Sequence, residues 1–375
     1  MYIWEQKNWP RYTWKTEVLQ PQLDSVRLQQ GRLLGQSDQQ TEELDAQAQM
    51  DALIQNAIRT SEIEGEKLNV SSVRSSVARH LGIPQAGLRD STPQADALVG
   101  MLLNATQHLN TALTLDQLCS WQEALFPEGT GLVNPVNVGA LRGDTEMQVV
   151  SGRVDRPVVH FEAPPRAQLN NEIKQFLQWF NHPPVDLDGL LRAGIAHLWL
   201  ITLHPFDDGN GRVARAVTDR ALAQAEKQSI RFYSLSAAIM ARRKEYYHQL
   251  EQTQKGEMDI TPWLSWFLTA LEDALKQGQL RFSRVMQKTR FWQRHSQTAL
   301  TERQIKVLNR LLDDGAGQEG AEGFKFGINA EKYKSLAKVS KATATRDLTD
   351  LLSKGCLMKL PGGGRSTRYT IAKIK

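Results

Sequence analysis

Cysteine is scarce in this chain: two in 375 residues, Cys119 and Cys356, far apart. That excludes a disulfide scaffold and a cysteine-built zinc site, and it points to a reducing, cytoplasmic setting. Long apolar runs are missing too. The best candidate, Ile195–Leu203, is short and contains His197, so no membrane span is expected. The opening residues, Met1–Arg11, mix aromatics with charges and lack the apolar stretch of a secretory signal. There is no internal repeat and no long low-complexity tract. Aromatics make up only 7%, yet hydrophobic residues reach 41% and charged residues 23%. A chain of this length and composition folds around real cores, in two or three domains of roughly 100–200 residues each.

The net charge of +5 hides an asymmetry. Arg281–Lys375 holds 20 lysines and arginines against 8 acids, while the rest holds 26 against 33. A basic end on an acidic body suggests a separate domain with an anionic partner, nucleic acid foremost, or a solvated basic surface.

Apolar periodicity predicts helices over Gln22–Leu34, Thr41–Glu64, Gln94–Leu113, Leu115–Leu125, Ala167–Phe180, Leu187–Leu203, Arg212–Ala225, Ser236–Thr253 and Pro262–Gln277. Pro84–Pro93 reads as a connection. Within Gln148–Val159, two valine pairs flank a Ser151-Gly152 turn signal, which suggests a short hairpin. Gly278–Thr298 reads as a helical connector. The last segment then runs helix Thr301–Leu312, a glycine-rich loop at Asp313–Phe326, helices Asn329–Lys338 and Ser340–Lys354, and strands Cys356–Leu360 and Thr367–Ile371. That is the order of a winged helix-turn-helix. The predicted fold is thus mainly α, divided at 1–93, 94–278, a connector 279–298, and 299–375.

The most informative stretch is His204-Pro205-Phe206-Asp207-Asp208-Gly209-Asn210-Gly211-Arg212-Val213-Ala214-Arg215. His204 ends a buried helix, whose negative dipole end favours an imidazole able to take up and hold a proton. Gly209 and Gly211 flank Asn210, which tolerates a left-handed backbone, so successive N–H groups can converge into an anion nest at a helix start. Arg212 and Arg215 share a helix face behind that nest and can fork onto phosphate oxygens. Asp208 is the hard oxygen ligand beside it, and one carboxylate with substrate phosphates is the usual way to hold Mg²⁺. Asp207 is the less certain acid. A base, a metal ligand, a nest and two arginines describe a nucleotide-phosphate site with a hydroxyl-activating base.

These residues resemble the motif of the Fic family, H-x-F-x-[D/E]-G-N-G-R-x-x-R, at every specified position. The resemblance extends from about residue 40 to 275, with a flap and core around Gly139–Pro165. It implies a Fic-type helical core with a β-hairpin flap, and transfer of AMP from ATP to Ser, Thr or Tyr hydroxyls. By that resemblance His204 is the general base and Phe206 anchors the loop. Asp208 binds Mg²⁺, Gly209, Asn210 and Gly211 cradle phosphate, Arg212 supports the β-phosphate, and Arg215 holds the γ-phosphate. Tyr246 and Tyr247 are candidates for the adenine end or for ordinary packing. Thr60-Ser61-Glu62-Ile63-Glu64-Gly65 is similar to the family's inhibitory pattern, in the second, N-terminal class. Glu64 then pairs with Arg215 and blocks the γ-phosphate, with Thr60 one turn earlier on the same face.

The flap, 148–159, is expected to dock a target protein by strand addition. Ser340 reads as an N-cap, and Lys341, Thr343, Thr345 and Arg346 lie on the early turns of a recognition helix, with Arg365 and Arg368 at the wing. The winged helix is open to DNA, to protein docking, or to a homodimer. Two functions from different classes follow: an autoinhibited adenylyltransferase, which in some family members also removes AMP, or a DNA-binding regulator with a nucleotide-sensing or self-modifying core. A donor other than ATP is a third reading.

Overall fold

The computed structural model describes every residue except 38–41, 84–89, 128, 130–135, 154–155, 229–230, 314–323, 325, 362–366 and 373–375. Part of the 84–93 connection, most of the glycine-rich loop and the wing tip with Arg365 therefore lie outside the described residues. Among the described residues the chain is mainly helical, with two small antiparallel sheets. It divides into two compact units, Met1–Gln40 with Gln49–Gly278, and Thr41–Ala48 with Gln279–Lys375.

In the first unit, α1 (Thr16–Ser37) starts earlier than its periodicity suggested, because Leu19, Leu23 and Val26 form one buried stripe that carries the helix through Pro21. Helix α2 (Glu42–Ile63), which belongs to this unit from Gln49 onward, buries Met50, Ile54, Ala57 and Ile58. Asn56 fixes that face, donating from Nδ2 to Asp219 at 2.7 Å. A third helix, α3 (Val70–His80), lies outside the predicted elements, although Val70, Val73 and Val77 recur at helical spacing. Its start is set by Asn69, whose side chain accepts from the Ser71 and Ser72 amides. Helix α4 (Pro93–Gln107) stops short of the predicted Leu113, and α5 (Leu115–Glu123) follows, capped by Thr114.

Strands β1 (Gln148–Arg153) and β2 (Arg156–Glu162) form the hairpin. Ser151-Gly152 is not its turn. Gly152 lies inside β1 opposite Pro157, with φ +91°, so its conformational freedom serves a strand distortion. Then come α6 (Arg166–Asn181), α7 (Gly189–Leu203) and α8 (Asn210–Glu226). Helix α7 is buried on nearly every side and packs along α8, so the loop joining them is held at both ends.

The single helix expected over 236–253 is two, α9 (Leu235–Ala241) and α10 (Arg243–Gln254). The break falls at Arg242, at φ −115° and ψ 29°, whose guanidinium is drawn to Asp273 at 2.7 Å. Helix α11 (Thr261–Arg294) runs on through the proposed connector. Gly278 does not stop it: a Cβ there would lie 2.8 Å from the Phe232 carbonyl, so glycine serves close approach.

The second unit has its own core of Val307, Leu311, Ile328, Tyr333, Leu348 and Leu351. Its elements are α12 (Glu302–Asp313), α13 (Ala330–Ala337), α14 (Lys341–Ser353), β3 (Leu357–Lys359) and β4 (Tyr369–Ile371), the predicted winged-helix order. Ser340 caps α14 by accepting from the Thr343 amide at 3.1 Å. No helix among the described residues is long and apolar enough to cross a membrane.

Candidate active site

His204 closes α7 in a left-handed conformation, φ 47° and ψ 59°. Such a backbone is strained for a residue other than glycine and persists only when its surroundings enforce it. Arg142 is the enforcer. It is fully buried; its Nε donates to the His204 carbonyl at 2.9 Å and its amide to the Pro205 carbonyl at 2.9 Å. His204 Nδ1 donates to the Ile201 carbonyl at 3.1 Å. The neutral ring therefore leaves Nε2 bare to accept a proton. The dipole argument had favoured a protonated ring, but burial dominates and lowers the His204 pKa, partly offset by the Ile201 bond.

The loop is braced internally. Asn210 accepts from the Phe206 amide at 2.9 Å and donates to the Phe206 carbonyl at 2.7 Å, while the Phe206 ring is wholly buried. Asn210 has a helical backbone as the first residue of α8, so the left-handed residues are His204 and Gly209, not the asparagine. Gly209, at φ +89°, has no room for a Cβ, which would meet Leu125 at 2.8 Å. Asp207 is structural, accepting from the Asn137 amide at 2.9 Å and its side chain at 2.8 Å. Asp208 accepts from the Gly209 amide at 2.6 Å and stays exposed at the cavity rim.

The expected pair is present. Arg215 donates from Nη2 to Glu64 Oε1 at 2.7 Å and to the Thr60 carbonyl at 2.9 Å, and from Nε to Thr60 Oγ1 at 2.7 Å. The Glu64 carboxylate lies directly on Gly211, where a Cβ would stand 2.1 Å from Oε1. Burial alone would raise the Glu64 pKa, but Arg215, then Arg212 and His204, hold it below its ordinary value. At the end of α2, the Ile63 carbonyl accepts from Arg243 Nε at 2.7 Å and from the Tyr247 hydroxyl at 3.3 Å. Arg243 and Arg215 thus offset the negative end of the helix.

His204, Glu64, Asp208 and Gly211 line one cavity of about 750 Å³, together with hairpin residues and α10. A model of the Fic/DOC family matches residues 112–222, which contain the whole loop. Residues 112–222 are a Fic/DOC domain. A model of a domain of unknown function, DUF4172, matches residues 2–83, which include helix α2. Protein adenylyltransferase Fic of Drosophila mojavensis is 24% identical over 264 residues, 67% of this chain and 48% of that protein. Protein adenylyltransferase fic-1 of Caenorhabditis elegans is 25% identical over 216 residues, 55% and 37% of the two chains. The chain thus spans less than half the length of these relatives. A Fic family protein from Desulfovibrio desulfuricans G20 shares the fold, with TM-score 0.53, 18% identity, and coverage of 98% of this chain and 99% of that one.

Tyr246 and Tyr247, which lie beyond the matched residues, do not behave alike. Tyr246 lines the cavity but is almost wholly buried, in a cluster with His197, Trp263 and Trp266. Tyr247 is half-exposed, under the Arg243 guanidinium. Three residues escaped the sequence reading. Glu66 accepts from Arg212 Nη1 at 2.7 Å, a second ion pair one step beyond Gly65. Arg142 is the loop brace. His160 is the extra residue of a bulge in β2, and it bridges Ser151 Oγ at 2.5 Å and Glu251 at 3.1 Å, tying the hairpin to α10. Only the E-G-E repeat at 64–66 carried any signal for them.

Proposed function

We propose that the chain is an autoinhibited protein adenylyltransferase that moves AMP from ATP to a Ser, Thr or Tyr hydroxyl. One observation carries this reading: a carboxylate, Glu64, sits on Gly211 against Arg215, occupying the place a phosphate would take at the start of α8. His204 Nε2 takes the proton of the acceptor hydroxyl. The oxygen bonds to the α-phosphorus, the bond to the bridging oxygen breaks, and pyrophosphate leaves. Gly209–Gly211, Arg212 and Arg215 position the phosphates and offset their charge.

The donor set fits Mg²⁺. Asp208 is a single exposed carboxylate beside the nest, and no cluster of three metal-binding side chains exists among the described residues. Asp208 would hold the ion, which when bound neutralises phosphate charge. The β1–β2 edge receives the target segment, and the reducing chemistry of two free thiols suits the cytoplasm.

The test is incubation with α-labelled ATP. Label on protein in Glu64→Gly, lost in Glu64→Gly/His204→Ala, supports transfer; absence of label in both overturns it, and a panel of labelled nucleotides checks the donor. A second reading, DNA binding, is favoured by exposed Lys341 and Arg346 at the start of α14. Salt-sensitive binding of duplex DNA supports it, and a concentration-dependent mass identifies a dimer instead.

A further inference from the structure

One buried guanidinium joins two parts of the site that the chain keeps far apart. Arg142 Nε donates to the His204 carbonyl at 2.9 Å, and Arg142 Nη2 donates to the Pro164 carbonyl. His204 carries the base. Pro164 stands two residues past the end of β2, beside Ala163, whose amide closes the hairpin on the Met147 carbonyl at 2.9 Å. The same fork therefore holds the backbone of the base and the foot of the flap. The segment that bears the fork runs alongside the loop, with Asn137 at Asp207 and the Arg142 amide at the Pro205 carbonyl. Arg166, the first residue of α6, fixes that segment from behind by donating from Nε to the Arg142 carbonyl at 2.8 Å.

Both bonds of the fork end on neutral carbonyls, not on a carboxylate. Placing a buried charge on neutral acceptors is costly. What such a fork supplies is geometry, since its N–H groups lie in one rigid plane at fixed directions. The left-handed backbone of His204 is where that geometry is needed. Its amide is tied to the Leu200 carbonyl at 3.2 Å and its carbonyl to Arg142, so the chain is fixed on both sides of the ring. We propose that Arg142 is a positioning residue for transfer: by holding the His204 and Pro164 carbonyls on one fork, it sets the base and the acceptor-docking hairpin in a single register. This rests on the transfer reading above and extends it to how base and acceptor are aligned.

The test uses the full chain in a Glu64→Gly background, with Arg142→Met and Arg142→Lys added separately. Methionine removes both fork and charge. Lysine keeps the charge but not the planar fork. Protein labelling from α-labelled ATP at saturating nucleotide falls about a hundredfold in both, the effect of misplacing a reacting group by about 1 Å, while Mg²⁺-ATP affinity by calorimetry stays within about twofold. Two readouts need no transfer. The parent shows His204 as a single Nδ1–H tautomer in long-range proton–nitrogen spectra, and the variants show a mixture. Hydrogen exchange at the Ala163 amide quickens about tenfold, as for loss of one hydrogen bond to a charged group. Rate and affinity falling together, full rate in the lysine variant, a tautomer that stays fixed, or unchanged exchange at Ala163 overturns the proposal. Should the methionine variant fail to fold, the lysine variant decides. A Glu64→Gly parent that labels no protein overturns the transfer reading itself, and the tautomer and exchange readouts still decide whether Arg142 links base and hairpin.

Discussion

Replacing Glu64 by glycine removes one arm of the lock and leaves the other. Arg215 keeps its two bonds to Thr60, so the arginine stays in place while the anion site beside Gly211 opens. The lost interaction is a 2.7 Å hydrogen-bonded ion pair whose arginine is 2% exposed and whose glutamate is 29% exposed. Hydrogen bonds to charged groups contribute about 1.5–3 kcal/mol net, and each 1.4 kcal/mol is tenfold in rate. Initial transfer rates from α-labelled ATP should rise roughly ten- to hundredfold. Glu64→Gly/Arg215→Ala should lose most of that gain, because a free Arg215 is its cause. Glu62 pairs with Arg59 on the same turn, and Glu62→Gly should change little. The reasoning is refuted if Glu64→Gly labels acceptors and itself no faster than wild type, or if Glu62→Gly activates equally.

Glu66→Gln, added to Glu64→Gly, should raise labelling a further two- to fivefold, since a half-exposed pair contributes about 0.5–1 kcal/mol; an unchanged rate removes Glu66 from the lock. The pH dependence follows from two depressed pKa values. The Glu64 lock is present above the ordinary carboxylate pKa and is lost as pH falls through its lowered one, so the rate gap between wild type and Glu64→Gly should narrow toward acid. In Glu64→Gly, the acid limb of the rate should have its midpoint below the ordinary imidazole value as His204 protonates; a midpoint above that value contradicts the burial argument. Gly211→Ala should lower the melting temperature of wild type through the Glu64 clash, by about 1–3 kcal/mol of overpacking, and much less so in Glu64→Gly. Asp208→Ala should abolish Mg²⁺-dependent activity; a wild-type Mg²⁺ titration in that variant contradicts its role.

The site was legible where its chemistry is local. His204 to Arg215 is one uninterrupted run, and Thr60 and Glu64 are one helical turn apart, so spacing alone placed them on shared faces. Arg142 and Glu66 were not legible, because they meet His204 and Arg212 only once separate segments have packed. The break at Arg242 has no proline or glycine to mark it; Arg242 there pairs with Asp273 of α11. Gly152 and Gly278 misled in the opposite way. Both were read as punctuation, whereas one bends a strand and the other lets a helix pass close to a carbonyl. Tyr246 and Tyr247 could not be told apart, because adjacent tyrosines on a helix point different ways and sequence does not say which is buried.

The lock side chains belong to the same chain as the arginine they hold. Such a tethered group competes at an effective concentration set by geometry, typically millimolar for short tethers. Glu64 engages Arg215 in a first-order step, whereas a nucleotide arrives in a second-order one. The fraction of locked molecules therefore does not change with the amount of protein made or with its dilution. On the proposed inhibition, a triphosphate that needs Arg215 must displace a competitor that is always present, so its apparent dissociation constant is multiplied by one plus the ratio of locked to open states. Nucleotide concentration is then the quantity that shifts the balance.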